Sequence, residues 1–182
     1  VSADEGGQIF RRACMSAEFR AVAGNAPGAV TGWLRGLARL AHDACGGPGV
    51  GAIGMCFTGN FALSMMLEPA VLAPVLAQPS LPLDDAGALD SDAGELAQVR
   101  ARLEREDLVV LGYRFAGDAI CRAERFAAYE RALGDRFQGR VLPDASANRK
   151  DPPPFFARYV PTPHSVVTVH LIDQAGQPTI AA

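Results

Sequence analysis

Val50-Gly51-Ala52-Ile53-Gly54-Met55-Cys56-Phe57-Thr58-Gly59-Asn60-Phe61-Ala62-Leu63 reads as a buried apolar strand, a glycine-bracketed turn with a cysteine at its tip, and a helix. A nucleophile elbow needs this context. The turn lifts a reactive side chain above the sheet in a strained conformation, and glycines on either side keep neighbours out of the way. A helix starting just behind the turn aims its first amides at the tip, which favours an anion there. The spacing is Gly-x-Cys-x-Thr-Gly, so Thr58 stands where the Gly-x-Ser-x-Gly pattern has its second glycine. The same letters also describe a buried cysteine in a glycine-rich turn, because free cysteine is often buried.

Outward from the elbow, strand and helix patterns alternate. Residues 71–78 form a second apolar strand, in which Pro74 argues for an edge, a bulge or a shorter strand. A loop over 80–94 precedes a charged helix over 95–106 with Leu96, Val99 and Leu103 as its inner stripe. Residues 108–115 read as a strand buried on both faces, 122–133 as a helix facing in through Phe126, Tyr129 and Leu133, and 137–142 as a fourth strand. Residues 143–163 read as irregular, and a helix is expected after His164 to about Leu171.

Upstream, residues 30–45 make the clearest amphipathic helix, with Val30, Trp33, Leu34, Leu37, Leu40 and Ala41 on one face and Thr31 at its start. Gly46-Gly47-Pro48-Gly49 ends it. A short helix is expected over 13–23, a turn over 24–28, and no periodic pattern over 1–10. Strands alternating with helices of about a dozen residues imply βαβ units and a parallel sheet. The fold class is therefore α/β, with residues 1–182 as one domain.

Composition narrows the function classes. Apolar residues make up 49% and charged residues 20%, which is globular rather than disordered. A net charge of −3 gives no footprint for nucleic acid or an anionic membrane surface. Cys14, Cys45, Cys56 and Cys121 are scattered without metal-ligand or disulfide spacing, which fits reduced thiols and a cytoplasmic setting. The apolar run over 49–77 carries a single charge, Glu68, but Gly, Asn and Pro divide it into core elements rather than a membrane span.

A thiol nucleophile needs a base, and the base needs an orienting acid. Of the three histidines, His42 lies on the amphipathic helix and His170 in an apolar run, where each reads as a packed helix histidine. His164 follows the last strand in a loop and is the best base. Asp118 leaves the third strand through Gly117 and is the best acid, although turn and capping aspartates look the same. Cys56, Asp118 and His164 follow the nucleophile–acid–histidine chain order of α/β-hydrolases.

At these residues the chain resembles the dienelactone hydrolase family. The likeness covers most of residues 49–182. It is carried by Gly54-Met55-Cys56-Phe57-Thr58-Gly59, Gln78-Pro79-Ser80-Leu81-Pro82, Phe115-Ala116-Gly117-Asp118, Ala123-Glu124-Arg125-Phe126 and His164-Ser165-Val166. The resemblance implies a three-layer α/β-hydrolase fold, a Cys56–Asp118–His164 triad, and ester or lactone opening through an acyl-thiol intermediate. It implies no metal or other cofactor, and it makes the Phe57 amide one oxyanion donor. Arg122 is a candidate for binding an acidic substrate group.

Three departures stand beside the likeness. Thr58 replaces an elbow glycine. Thr168 stands where relatives that take dienelactone have a carboxylate-binding arginine. Only about fifty residues precede the elbow, without the strands and the second oxyanion loop that the fold places there. The expectation is therefore a domain incomplete on its N-terminal side, with an open sheet edge and exposed apolar surface that a missing segment or a second copy would cover. The competing functions are a non-catalytic or truncated module for binding or assembly, and a redox sensor using Cys56 and Cys121.

Overall fold

The computed structural model describes residues 2–14, 29–160, 162–174 and 177–178. Strands β1 (Val50–Met55), β2 (Val71–Ala77), β3 (Val110–Phe115) and β4 (Phe137–Leu142) form one parallel sheet in the order β1-β2-β3-β4. The helices are α1 (Ala3–Cys14), α2 (Ala29–Cys45), α3 (Gly59–Ser64), α4 (Ala93–Glu106), α5 (Ala123–Leu133) and α6 (Pro154–Tyr159). Parallel neighbours in chain order require a crossover between each pair, and α3, α4 and α5 supply them. The α/β class read from the alternation is the class observed.

The main core lies where these helices meet the sheet. Met66, Leu76, Val99, Leu103, Val110 and Leu133 are fully buried there. A smaller cluster of Tyr113, Phe115, Ala147 and Val166 covers the other face near the site. Pro74 lies one residue before the β2–β3 pairing begins at Val75, so its missing N–H removes no ladder bond on that side. The β1–β2 register also shifts between Val50 and Gly51, as a strand containing proline suggests.

Among the described residues β1 pairs only with β2, which leaves the sheet open at β1. Ala52 and Gly54 face the core, whereas Ile53 is 64% exposed and Met55 38% exposed. No described helix is long and apolar enough to cross a membrane.

Four expectations are corrected. Within 1–10, where no periodic pattern is expected, a helix begins: Ser2 and Glu5 form a capping box, Ser2 Oγ accepting the Glu5 amide and Glu5 accepting the Ser2 amide at 2.8 Å, and α1 follows. The helix expected over 13–23 lies mostly outside the described residues. Helix α2 exists, but its apolar face is turned outward, with Trp33 and Leu40 about two-thirds exposed. Its arginines decide the docking instead: Arg35 donates to Ser64 O and to Glu95 at 2.8 Å, and Arg39 pairs with Glu68 at 2.5 Å. Thr31 is buried inside this helix rather than at its start.

The third and fourth corrections lie near the C-terminal side. Within the irregular stretch, Pro154 starts the short helix α6, because proline at a first helical position loses no hydrogen bond. Residues 166–170 are turn rather than helix. Their valine and threonine side chains are stiff in helices, and side-chain acceptors take the amides that a helix would use. A small antiparallel hairpin, β5 (Asp173–Gln174) with β6 (Gln177–Pro178), follows.

Candidate active site

Cys56 stands at the tip between β1 and a 3₁₀ turn (Cys56–Thr58) that leads into α3. Its φ is +53°, a left-handed conformation that non-glycine residues seldom adopt and that is held only when surroundings over-determine it. Two glycines allow it. A Cβ at Gly54 would lie 2.3 Å from Thr58 O, and one at Gly59 would lie 2.6 Å from Pro79 Cβ. The close approaches therefore need glycine at 54 and 59, and position 58 is free for another side chain. Thr58 uses that freedom to tie the turn: its Oγ1 donates to Met55 O at 2.8 Å and accepts the Met55 amide at 3.0 Å.

Asp118 and His164 meet the thiol from the turn after β3 and the loop after α6. His164 Nδ1 donates to Asp118 Oδ2 at 2.8 Å, and His164 Nε2 shares a proton with Cys56 Sγ at 3.2 Å. Asp118 Oδ1 accepts the amides of Ile120 and Cys121 at 2.9 and 3.0 Å. One oxygen of Asp118 thus holds the turn and the other faces the imidazole. The Gly117 amide ties this turn to the segment after β4, donating to Asp144 Oδ1 at 2.8 Å.

Asp118 and His164 are buried to 4% and 2% exposure. Burial works against charge on the imidazole, but the hydrogen bonds to Asp118 and Cys56 and the nearby carboxylate outweigh it and raise the His164 pKa to about 9. The imidazole therefore holds its second proton readily at neutral pH.

No family model, curated protein or solved structure matches the chain. A cavity of about 470 Å³ opens on Cys56 and His164, walled by Phe57, Leu83, Ile120, Phe155, Phe156 and Tyr159. Apart from His164, no charged residue lines it among the described residues. Helix α1 closes one side: a Cβ at Gly6 would touch Phe155 at 3.0 Å, so the glycine pair brings α1 tightly against α6.

The sequence-predicted residues divide accordingly. Cys56, Asp118 and His164 come together and Phe57 walls the cavity. Arg122 does not join them. It is exposed at the start of α5, and its Nε donates to Ala119 O at 3.1 Å rather than into the cavity. Cys121 is fully buried, and burial followed by the Asp118 charge pushes its thiol far up, so it is an unreactive core thiol.

Two supporting residues were not found by sequence reasoning. Gln78 sits at the end of β2 with φ +39°, and its Oε1 accepts the Val166 amide at 3.1 Å. Two residues on, the Ser80 amide donates to Cys56 O at 3.0 Å. One short segment thus braces both the nucleophile and the base loop. A polar Gln immediately before Pro79 at the end of an apolar strand was the available signal. His170 is the other, taken up below.

Proposed function

We propose that the chain is a cysteine-nucleophile hydrolase of ester or lactone bonds, and that its acyl group is uncharged and apolar. The observation that carries this reading is the continuous line Asp118–His164–Cys56 opening on an apolar cavity. With the proton of the Cys56 thiol already on His164 Nε2, the thiolate attacks the carbonyl carbon. The carbonyl π electrons move to oxygen, where the Phe57 amide stabilises them. Collapse of that adduct expels the alcohol, which takes the proton from His164 and leaves a thioester on Cys56. Water then attacks the thioester with His164 as base, releasing acid and restoring the thiol. Asp118 keeps Nδ1 as the protonated nitrogen throughout.

The resemblance to dienelactone hydrolases supports the same chemistry but a different substrate charge. Thr168 stands where their carboxylate-binding arginine is expected, and it is exposed. No cation among the cavity-lining residues replaces it. The test is acyl trapping with p-nitrophenyl butyrate and p-nitrophenyl hemisuccinate. Butyryl transfer to Cys56, seen as a nitrophenolate burst and one added acyl mass, is expected in the wild type and absent in Cys56→Ala and His164→Ala. Preference for the hemisuccinate would refute the apolar acyl group, and no adduct with either ester would refute the hydrolase reading.

One observation favours a second reading, a binding or assembly module. The unpaired edge of β1 and the exposed Ile53 and Met55 offer sheet surface that a catalytic domain of this class buries. Failure of the trapping experiment would leave that reading in place.

A further inference from the structure

His170 is buried to 6% exposure in the turn after the base, and its Nδ1 meets two donors at once. The amides of His164 and Ser165 both point to it, at 3.1 and 3.0 Å. A ring nitrogen that accepts two N–H groups carries no proton, so the proton of neutral His170 must lie on Nε2. The ring is fixed in turn: its own amide donates to Ser165 O at 3.0 Å, its carbonyl accepts the Asn148 amide at 2.9 Å, and Phe115 and Phe156 pack edge-on against it.

We infer that His170 is a positioning residue for the base: as a neutral Nε2–H imidazole it clamps the main chain of His164 and Ser165, and protonation at Nδ1 releases the clamp. Its two bonds fix the backbone at 164, and that backbone sets where the His164 ring can stand between Asp118 and Cys56. Protonation would turn one acceptor into a third donor facing two amides. Burial, then the charge of His164, then that of Arg149 all disfavour the imidazolium, against a smaller opposing effect of Asp118. Among the described residues these are the charged groups that bear on the ring. His170 also lines a second cavity, of about 280 Å³, with Arg149, Phe156 and Thr162.

The inference shares the Cys56–His164 pair with the proposed function but not the ester chemistry, so it is tested without a substrate. The rate of Cys56 alkylation by iodoacetamide, followed by peptide mass, reads the thiol–imidazole pair directly. His170→Leu keeps bulk and removes the acceptor. His170→Asn returns an acceptor, because its Oδ1 stands as many bonds from the backbone as Nδ1, and it cannot be protonated. Expected are a loss of about tenfold in alkylation at neutral pH for His170→Leu and a change within about threefold for His170→Asn. The ratio of the Asn variant to wild type should rise as pH falls below the ordinary histidine range. Imidazole ¹⁵N shifts of the wild type should show Nδ1 unprotonated at neutral pH.

His170→Leu alkylating like wild type would overturn the clamp, as would a folded His170→Asn as slow as His170→Leu. A proton found on Nδ1 at neutral pH would overturn it as well, even if the Leu variant does not fold. A clamp seen in alkylation with no ester turned over would uphold this inference and sink the hydrolase reading.

Discussion

Asp118→Asn separates the two tasks of one buried carboxylate. The amide oxygen can still accept the Ile120 and Cys121 amides, so the turn at the end of β3 should persist. What is lost is the charge beside His164 Nδ1. In the wild type the imidazole is raised from 6.5 to about 9, a difference worth at most about 3 kcal/mol. A histidine raised in the folded state contributes its stability fully below its unfolded pKa and loses it as pH climbs through the folded value. The wild type should therefore lose up to about 3 kcal/mol between about pH 6.5 and 9.5 that Asp118→Asn, with burial now dominating His164, does not lose.

Urea denaturation across that range measures the difference. His164→Gln serves as reference, so that ionisation of the other groups cancels. A flat difference between wild type and both variants would refute the electrostatic account of the site. With an active preparation, the same substitution should cost on the order of 10³–10⁴ in turnover, because an amide donor favours the wrong imidazole tautomer.

Other substitutions test the scaffold. Gly54→Ala places a Cβ 2.3 Å from a carbonyl oxygen of the elbow, so about 1–3 kcal/mol of stability should go and acyl trapping should fail; a shift in Tm and the adduct mass report both. Leu103→Ala in the main core should cost about 2–5 kcal/mol by denaturant titration, whereas Ile53→Thr on the open face should stay within about 0.5 kcal/mol. Arg102 donates to the carbonyls of Met66, Glu68 and Pro69 from a buried position, and Arg102→Met should cost about 3 kcal/mol in the same titration by leaving them unpaired.

The sheet and the grouping of Cys56, Asp118 and His164 were legible because both are written in residue types that leave few alternatives. Apolar runs mark β1, β2 and β3 nearly to their ends, Cys56 and Asp118 follow two of these runs, and His164 stands in the loop well beyond β4. Helix α2 was placed correctly yet faced wrongly: the pattern ranked side chains by hydropathy, while Arg35 and Arg39 found specific acceptors at Ser64 O, Glu95 and Glu68. The capping box Ser2–Glu5 was overlooked because Gly6-Gly7 reads as a breaker, although these glycines serve close packing against Phe155 and Tyr159. Gln78 and His170 stayed silent for a different reason. Their partners are main-chain amides, which every residue carries and no sequence marks.

That last point bears on how the site keeps its geometry. Each triad member lies beyond a strand end, where the sheet ladder no longer holds the chain. Asp118 Oδ1, Gln78 Oε1 and His170 Nδ1 between them take five such amides, and the Ser80 amide holds Cys56 O. The loop that carries Gln78 onward is fastened separately, by Arg125 donating to the carbonyls of Pro82, Asp85 and Ala88. Acceptors of this kind are costly to leave unmade when buried, so the loops are fixed by polar satisfaction more than by apolar area. The contrast is β1, whose outer edge and face have no such fastening among the described residues. The base side of the site is thus held from several directions.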